Sequence, residues 1–204
     1  EAVVHWTNSF FLPAGTGVET PSIQQVALMK EFGTLEAVAN GDVRRIEKAI
    51  THGGLAKVKA PRIKQVLTLI AEKRGNLDLH FLSDMPLEQA KAWMRDLPGI
   101  GPKSAAVILC FALGMPAMAV DTHVHRVAKR LGLISSKTNA DDAHEILEPM
   151  VSPEQVYAFH AALITHGRRI CKALRPLCRE CVLAFGCPSQ NLGTYSSKTS
   201  KKNN

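Results

Sequence analysis

Four cysteines fall within the seventeen residues from 171 to 187, spaced Cys171-x6-Cys178-x2-Cys181-x5-Cys187 and followed by Pro188. Four thiolates this close in sequence can close around one metal centre, and such a centre dictates the path of the segment that carries them. No secretory signal is visible, which favours a reducing compartment and metal ligation over disulfides. Zinc closes tetrahedral sites with four thiolates, although zinc ribbons usually show two CxxC knuckles and this segment has one. Four cysteines can equally hold a [4Fe–4S] cubane, and spacing alone leaves the two open. The fifth cysteine, Cys110, lies on an apolar helix face and reads as core. Arg168, Arg169, Lys172, Arg175 and Arg179 lie in or beside the cluster. They could hydrate a surface loop or, on a loop pinned by a metal, contact phosphate.

Ahead of this segment the chain reads as successive helices. Leu87, Ala90, Met94 and Leu97 recur at the spacing of one buried helix face, with Pro86 at the start. A glycine turn then leads into Ala106, Val107, Leu109 and Cys110, predicting an apolar helix up to Gly114. "DTHVHRVAKRLGLI" predicts a helix with Val124, Val127, Ala128 and Leu131 on one face. Thr138 with Asp141 resembles a capping box, and Ser152, Pro153 and Gln155 supply a cap, a first-turn proline and a box partner. Residues 34–50 and 62–75 also read as amphipathic helices. The loop "THGGLAKVKAP" joins them and sets Lys57 and Lys59 beside two glycines. Alternating β patterns and hairpin dipeptides are scarce, so the predicted fold class is all-α. Residues 7–22 show no clear period.

Lys and Arg total 25 against 18 Asp and Glu, a formal net charge of +7 over 204 residues. That balance suits a polyanionic partner, nucleic acid before membrane, since no basic amphipathic anchor stands out. No apolar run approaches the roughly 20 residues of a membrane span. The basic end, "SSKTSKKNN", predicts a disordered tail.

"LPGIGPKSAAVILC", residues 97–110, places Lys103 in the first turn of a helix, where the backbone dipole disfavours a cation. The turn alone could be a ligand-free helix connection. Its glycines allow close backbone approach, and the second helix presents N–H groups to an anion. A lysine so placed is expected to have a lowered pKa, which makes it a nucleophile able to form Schiff bases. Its candidate partner is Asp121 in "AVDTHVHRV". Asp121 is also an excellent helix N-cap, the better reading on sequence alone, and the two roles can coexist. His123 and His125 follow it and receive no catalytic role.

"LPGIGPKSA", then "VDTHVHR", then "HGRRIC" leading into the four cysteines, resemble the endonuclease III branch of the helix–hairpin–helix DNA glycosylases. The resemblance covers roughly residues 30 to 190. It implies a six-helix barrel carrying the hairpin, packed against a smaller iron–sulfur domain, with the active site in the cleft between them. The implied domains are residues 1–115 for the barrel, 116–190 for the cluster domain, and 191–204 for the tail. It implies a [4Fe–4S] cluster on Cys171, Cys178, Cys181 and Cys187, structural in role. By the same resemblance Lys103 attacks C1′ of a flipped damaged nucleotide and displaces the base. Asp121 stabilises positive charge on the sugar and assists deprotonation of the lysine. The resulting Schiff base allows β-elimination, so the implied activity is a glycosylase with abasic-site lyase action on oxidised pyrimidines. Gly99, Ile100 and Gly101 would offer backbone N–H groups to a phosphate, with Lys57, Arg168 and Arg169 as further DNA contacts.

One departure stands out. The family usually carries a motif like "LSxQTxD" near its start, whose glutamine fills the gap left by the flipped base. Here that region reads "GTGVETP", with Val18 near the expected glutamine, so residues 1–25 are atypical and the family's first helix is not recognisable. The resemblance then implies weaker base excision than lyase action on a ready-made abasic site, or a different wedge. Two further readings are a DNA-binding homologue without strong catalysis and a mismatch or uracil glycosylase on the same fold. The expected partner is damaged double-stranded DNA, bound by a monomer in the cytoplasm or on the nucleoid.

Overall fold

The computed structural model describes residues 23–190, all of whose regular elements are helical, with no strand among them. The "GTGVETP" stretch and the predicted tail lie outside the described residues. The chain divides into two compact units, one ending at Ala119 and the other beginning at Val120.

In the first unit, α1 (Ile23–Phe32) is followed by α2 (Leu35–Asn40) and α3 (Val43–Ile50). The sequence from 34 to 50 is two helices because it holds two caps. Thr34 accepts from the Ala37 N–H at 3.1 Å, and Asp42 Oδ1 accepts from Arg44 and Arg45 at 2.8 and 3.3 Å. Restarting a helix at Asp42 satisfies N–H groups that would otherwise be orphaned. Lys64 Nζ donates to the Gly41 carbonyl at 2.7 Å and fixes the break. The long helix α4 (Ala56–Arg74) packs against α2 and α3 and buries Ala60, Ile63, Val66, Leu67 and Ile70. It begins six residues earlier than the expected start at Arg62. Pro61 lies inside it, within the second turn, where the one carbonyl left without a partner is near the helix end. Lys57 therefore sits in a helical first turn, not in a loop.

Helix α5 (Leu87–Arg95) buries Ala90 and Met94, and α6 (Pro102–Val107) packs against it through the glycine turn. The chain then widens into a π turn over Ile108–Ala112, burying Ile108, Leu109 and Cys110, before Gly114 ends it at φ +65°. Cys110 is thus core, and the predicted apolar helix reaches its predicted end with a wider last turn.

The second unit holds α7 (Thr122–Leu131), α8 (Ala140–Leu147) and α9 (Val156–Arg169), then the irregular cysteine segment. Helices α7 and α9 approach closely at Gly167. A Cβ there would stand 3.0 Å from His123 Cβ and 3.2 Å from Val127 Cγ2, so any side chain would press the two helices slightly apart. The start of α8 lies one residue beyond the expected box. Asn139 Oδ1 accepts from the Asp142 N–H at 2.8 Å, while Thr138 spends its own N–H on the Ser135 carbonyl. Ser152 bonds Gln155 through its side chain, but Pro153–Gln155 form only a 3-10 turn and α9 begins after it.

Candidate functional site

The turn between α5 and α6 is set by Gly99, whose φ of +79° is the left-handed region. A Cβ there would also stand 3.2 Å from Arg62 Cδ. Ile100 turns its side chain into the core, 5% exposed, and donates its N–H to the Leu97 carbonyl at 3.1 Å. Gly101 is exposed, and the space where its Cβ would stand is empty. Of the three hairpin residues, Gly99 and Gly101 therefore face outward while Ile100 anchors the turn. Lys103 follows as the second residue of α6. It is half-buried and makes no side-chain hydrogen bond or ion pair with any described residue.

Asp121 lies in the second unit, 4% exposed, as the N-cap of α7. Its Oδ1 accepts from the N–H groups of His123 and Val124 at 2.8 and 2.7 Å. Its Oδ2 is buried and finds no donor among the described residues. A buried carboxylate oxygen without a partner costs free energy, and such groups concentrate where function requires them. One oxygen serves the fold and the other is left available. His125 Nε2 meets the Thr138 carbonyl and His123 Nδ1 meets Arg126, so both histidines have structural partners.

A feature that sequence reading missed lies at the start of α4. Leu55 has φ +56°, the only positive value outside glycine among the described residues, and is 74% exposed. Holding an L-residue there costs about 1–2 kcal/mol, and the side chain gains no burial in return. The turn is braced from beneath by buried Gln24, whose Nε2 donates to the Ile50 carbonyl at 3.0 Å. Lys59 Nζ donates to Gln24 Oε1 at 3.4 Å, and burial holds its pKa below the usual lysine range. The available signal was an apolar residue directly after Gly53-Gly54 and before Lys57. Lys57 itself is exposed, as are Arg168 and Arg169 at the end of α9.

The four cysteines of the second unit are free thiols that line one pocket, with Arg130, Leu131 and His166 among its other walls. Arg126 Nε and Nη2 donate to the carbonyls of Cys171 and Gly167 at 3.0 and 2.7 Å. Arg130 donates to the carbonyls of Lys172 and Ala173 at 2.7 and 2.8 Å. The Cys187 thiol donates to the Arg130 carbonyl at 3.3 Å, and His166 Nε2 stands 3.7 Å from Cys181 Sγ. Burial lowers the pKa of His166, favouring its neutral form. Among the described residues no three His, Cys, Asp or Glu side chains are gathered for a single metal ion. Zinc draws each sulfur to about 2.3 Å, whereas a cubane places each thiolate on its own iron and keeps the sulfurs farther apart. Four thiols lining one pocket are a donor set that a metal centre with four thiolate ligands would use.

Residues 21–153 match the HhH-GPD superfamily of base excision DNA repair proteins. The chain is 32% identical to endonuclease III of Thermotoga maritima over 161 residues, covering 78% of this chain and 70% of that protein. It is 35% identical to endonuclease III of Bacillus subtilis over 145 residues, covering 71% of this chain and 62% of that protein. Among solved structures it resembles a non-covalent endonuclease III–DNA complex, with a TM-score of 0.77 at 26% identity, covering 94% of this chain and 85% of that one. A thermostable thymine-DNA glycosylase shares the fold, with a TM-score of 0.73 at 21% identity, covering 92% of this chain and 84% of that one.

Proposed function

Because the chain belongs to the endonuclease III branch of the HhH-GPD superfamily of base excision DNA repair proteins, we propose that it excises oxidised pyrimidines from duplex DNA and nicks the resulting abasic strand. The observation that carries this reading is Lys103, an amine on the hairpin helix with no hydrogen-bond or ion-pair partner among the described residues. A lysine committed to no ion pair is free to act as a nucleophile. Its unprotonated Nζ attacks C1′, the bond from C1′ to the base breaks, and the base leaves with the electron pair. Loss of a proton from nitrogen and opening of the sugar ring give a Schiff base. Removal of a C2′ proton then expels the 3′ phosphate and breaks the strand.

Asp121 supports the same chemistry. Oδ1 is held by the α7 N-terminus, so the carboxylate is oriented, and Oδ2 is left to face positive charge developing on the sugar. Gly99 and Gly101 position the DNA backbone at the hairpin, while Lys57, Arg168 and Arg169 add phosphate contacts. Leu55 suits an apolar wedge. Its exposed, strained placement supports insertion between bases once a nucleotide is extruded. Cys171, Cys178, Cys181 and Cys187 would hold a [4Fe–4S] cluster, which supplies a rigid cross-link for the segment. The partner in this reading is damaged duplex DNA, engaged by a single copy of the chain in the compartment where DNA lies. No helix among the described residues is long and apolar enough to cross a membrane.

The test is a duplex carrying one oxidised pyrimidine, incubated with the wild type and with Lys103→Gln and Asp121→Asn. The wild type should release the base and nick the strand, and both variants should lose most of each activity. Base release by Lys103→Gln at the wild-type rate would remove the lysine from the reaction.

A further inference from the structure

We propose that Arg130 stabilises the iron–sulfur site by hydrogen bonding the Cys171 sulfur and by clamping the backbone that carries it. The inference rests on the iron–sulfur reading of the pocket. Arg130 occupies the last turn of α7. Its Nη1 stands 3.4 Å from Cys171 Sγ and 3.5 Å from the Cys171 carbonyl, and donates to the Lys172 carbonyl at 2.7 Å. Its Nη2 donates to the Ala173 carbonyl at 2.8 Å. One guanidinium thus meets the first ligand and the two residues after it. These carbonyls lie just past Arg169, where α9 has ended and no helical turn follows to satisfy them. Only the planar fork of arginine reaches such a set of acceptors, which a lysine would meet at a single point.

Arg126, one turn earlier on α7, bonds the Cys171 and Gly167 carbonyls but makes no bond to a sulfur. The two arginines therefore differ in kind: both hold the loop, and Arg130 also donates to a ligand. A ligating thiolate has given up its proton, so the N–H of a fixed cation disperses its negative charge. Hydrogen bonds to cluster sulfurs and nearby charge are the terms that set cluster potential. A cation at Cys171 favours the more negative, reduced state and raises the potential. The carbonyl contacts act separately, by resisting the loop movement that releases an iron.

The experiment uses the full chain purified without oxygen, as wild type, Arg130→Gln and Arg130→Lys. Iron and sulfide per chain, absorbance near 400 nm during exposure to air, and reduction potential on DNA-free protein are measured, with far-UV dichroism confirming helical content. Arg130→Gln should bleach faster, on the order of tenfold, and its potential should fall. Arg130→Lys should also bleach faster while keeping a potential nearer the wild type, because the charge remains and the fork is gone. A purely structural role would change bleaching without moving the potential of Arg130→Gln. Should Arg130→Gln fail to fold, Arg130→Lys decides: faster bleaching supports the clamp and wild-type bleaching overturns it. A loaded wild type whose variants match it in both readouts overturns the role of Arg130 alone. A wild type that takes up no iron overturns the cluster reading and this inference together.

Discussion

For Asp121 and the two outward glycines of the hairpin, single substitutions separate what each does for the fold from what it does in the proposed chemistry. Asp121→Asn keeps an oxygen able to cap α7 but loses the charge at Oδ2, so stability should hold while activity falls. Asp121→Ala should cost about 1 kcal/mol in addition, the usual penalty for a lost cap. Chemical denaturation beside a nicking assay separates the two, and equal activity in Asp121→Asn and wild type would remove the carboxylate from the chemistry. Gly99→Ala should destabilise by about 1–2 kcal/mol, because it forces a side chain into the left-handed region and against Arg62. Gly101→Ala meets empty space at an ordinary φ of −91°, so it should leave stability intact and weaken DNA binding, where its methyl group would crowd the backbone. The helix-end placements of Lys103 and Asp121 were legible in sequence, since the glycine turn before one and the capping residue type of the other were both visible. Leu55 was not, because nothing in a leucine announces a positive φ. The hidden N–H of Ile100 escaped for a related reason: which amide a turn consumes depends on its geometry.

At the level of elements, single residues set where helices start and stop. All-α character and the approximate order of helices were legible because apolar spacing of three and four residues survives without any tertiary information. Boundaries were less so. Asp42 divides one apparent helix into two, and α4 starts at Ala56 because Leu55 takes a left-handed cap and Pro61 is tolerated within the second turn. Asn139, rather than Thr138, opens α8 because the preceding turn consumes Thr138. The strained start of α4 gives a direct prediction. Leu55→Gly relieves the positive φ and should raise stability by up to about 1 kcal/mol, offset in part by glycine's larger unfolded entropy. The same change should slow base excision more than cleavage at a ready-made abasic site, which is easier to extrude. Equal slowing on both substrates would exclude a wedge at this position.

In the whole molecule, each of the two compact units is expected to open as a separate foldon. Oxidative removal of the proposed cluster should strip hydrogen-exchange protection from residues 170–190 and from α7 and α9, while α1 to α6 keep theirs. Uniform loss across both units would contradict a cross-link confined to the second. Charge reversal is unnecessary to probe the DNA contacts: Arg168→Gln with Arg169→Gln should reduce the slope of log affinity against log salt by about 2. An unchanged slope would return both arginines to the ordinary role of cations at a helix C-terminus. The central claim is that Lys103 forms a covalent bond with the sugar. Borohydride reduction during reaction with a duplex containing one abasic site tests it most directly. The wild type should be trapped as a protein–DNA adduct whose attachment maps to Lys103 and which Lys103→Ala does not form. An adduct of equal yield in Lys103→Ala, or none from a loaded wild type that binds the duplex, would contradict it.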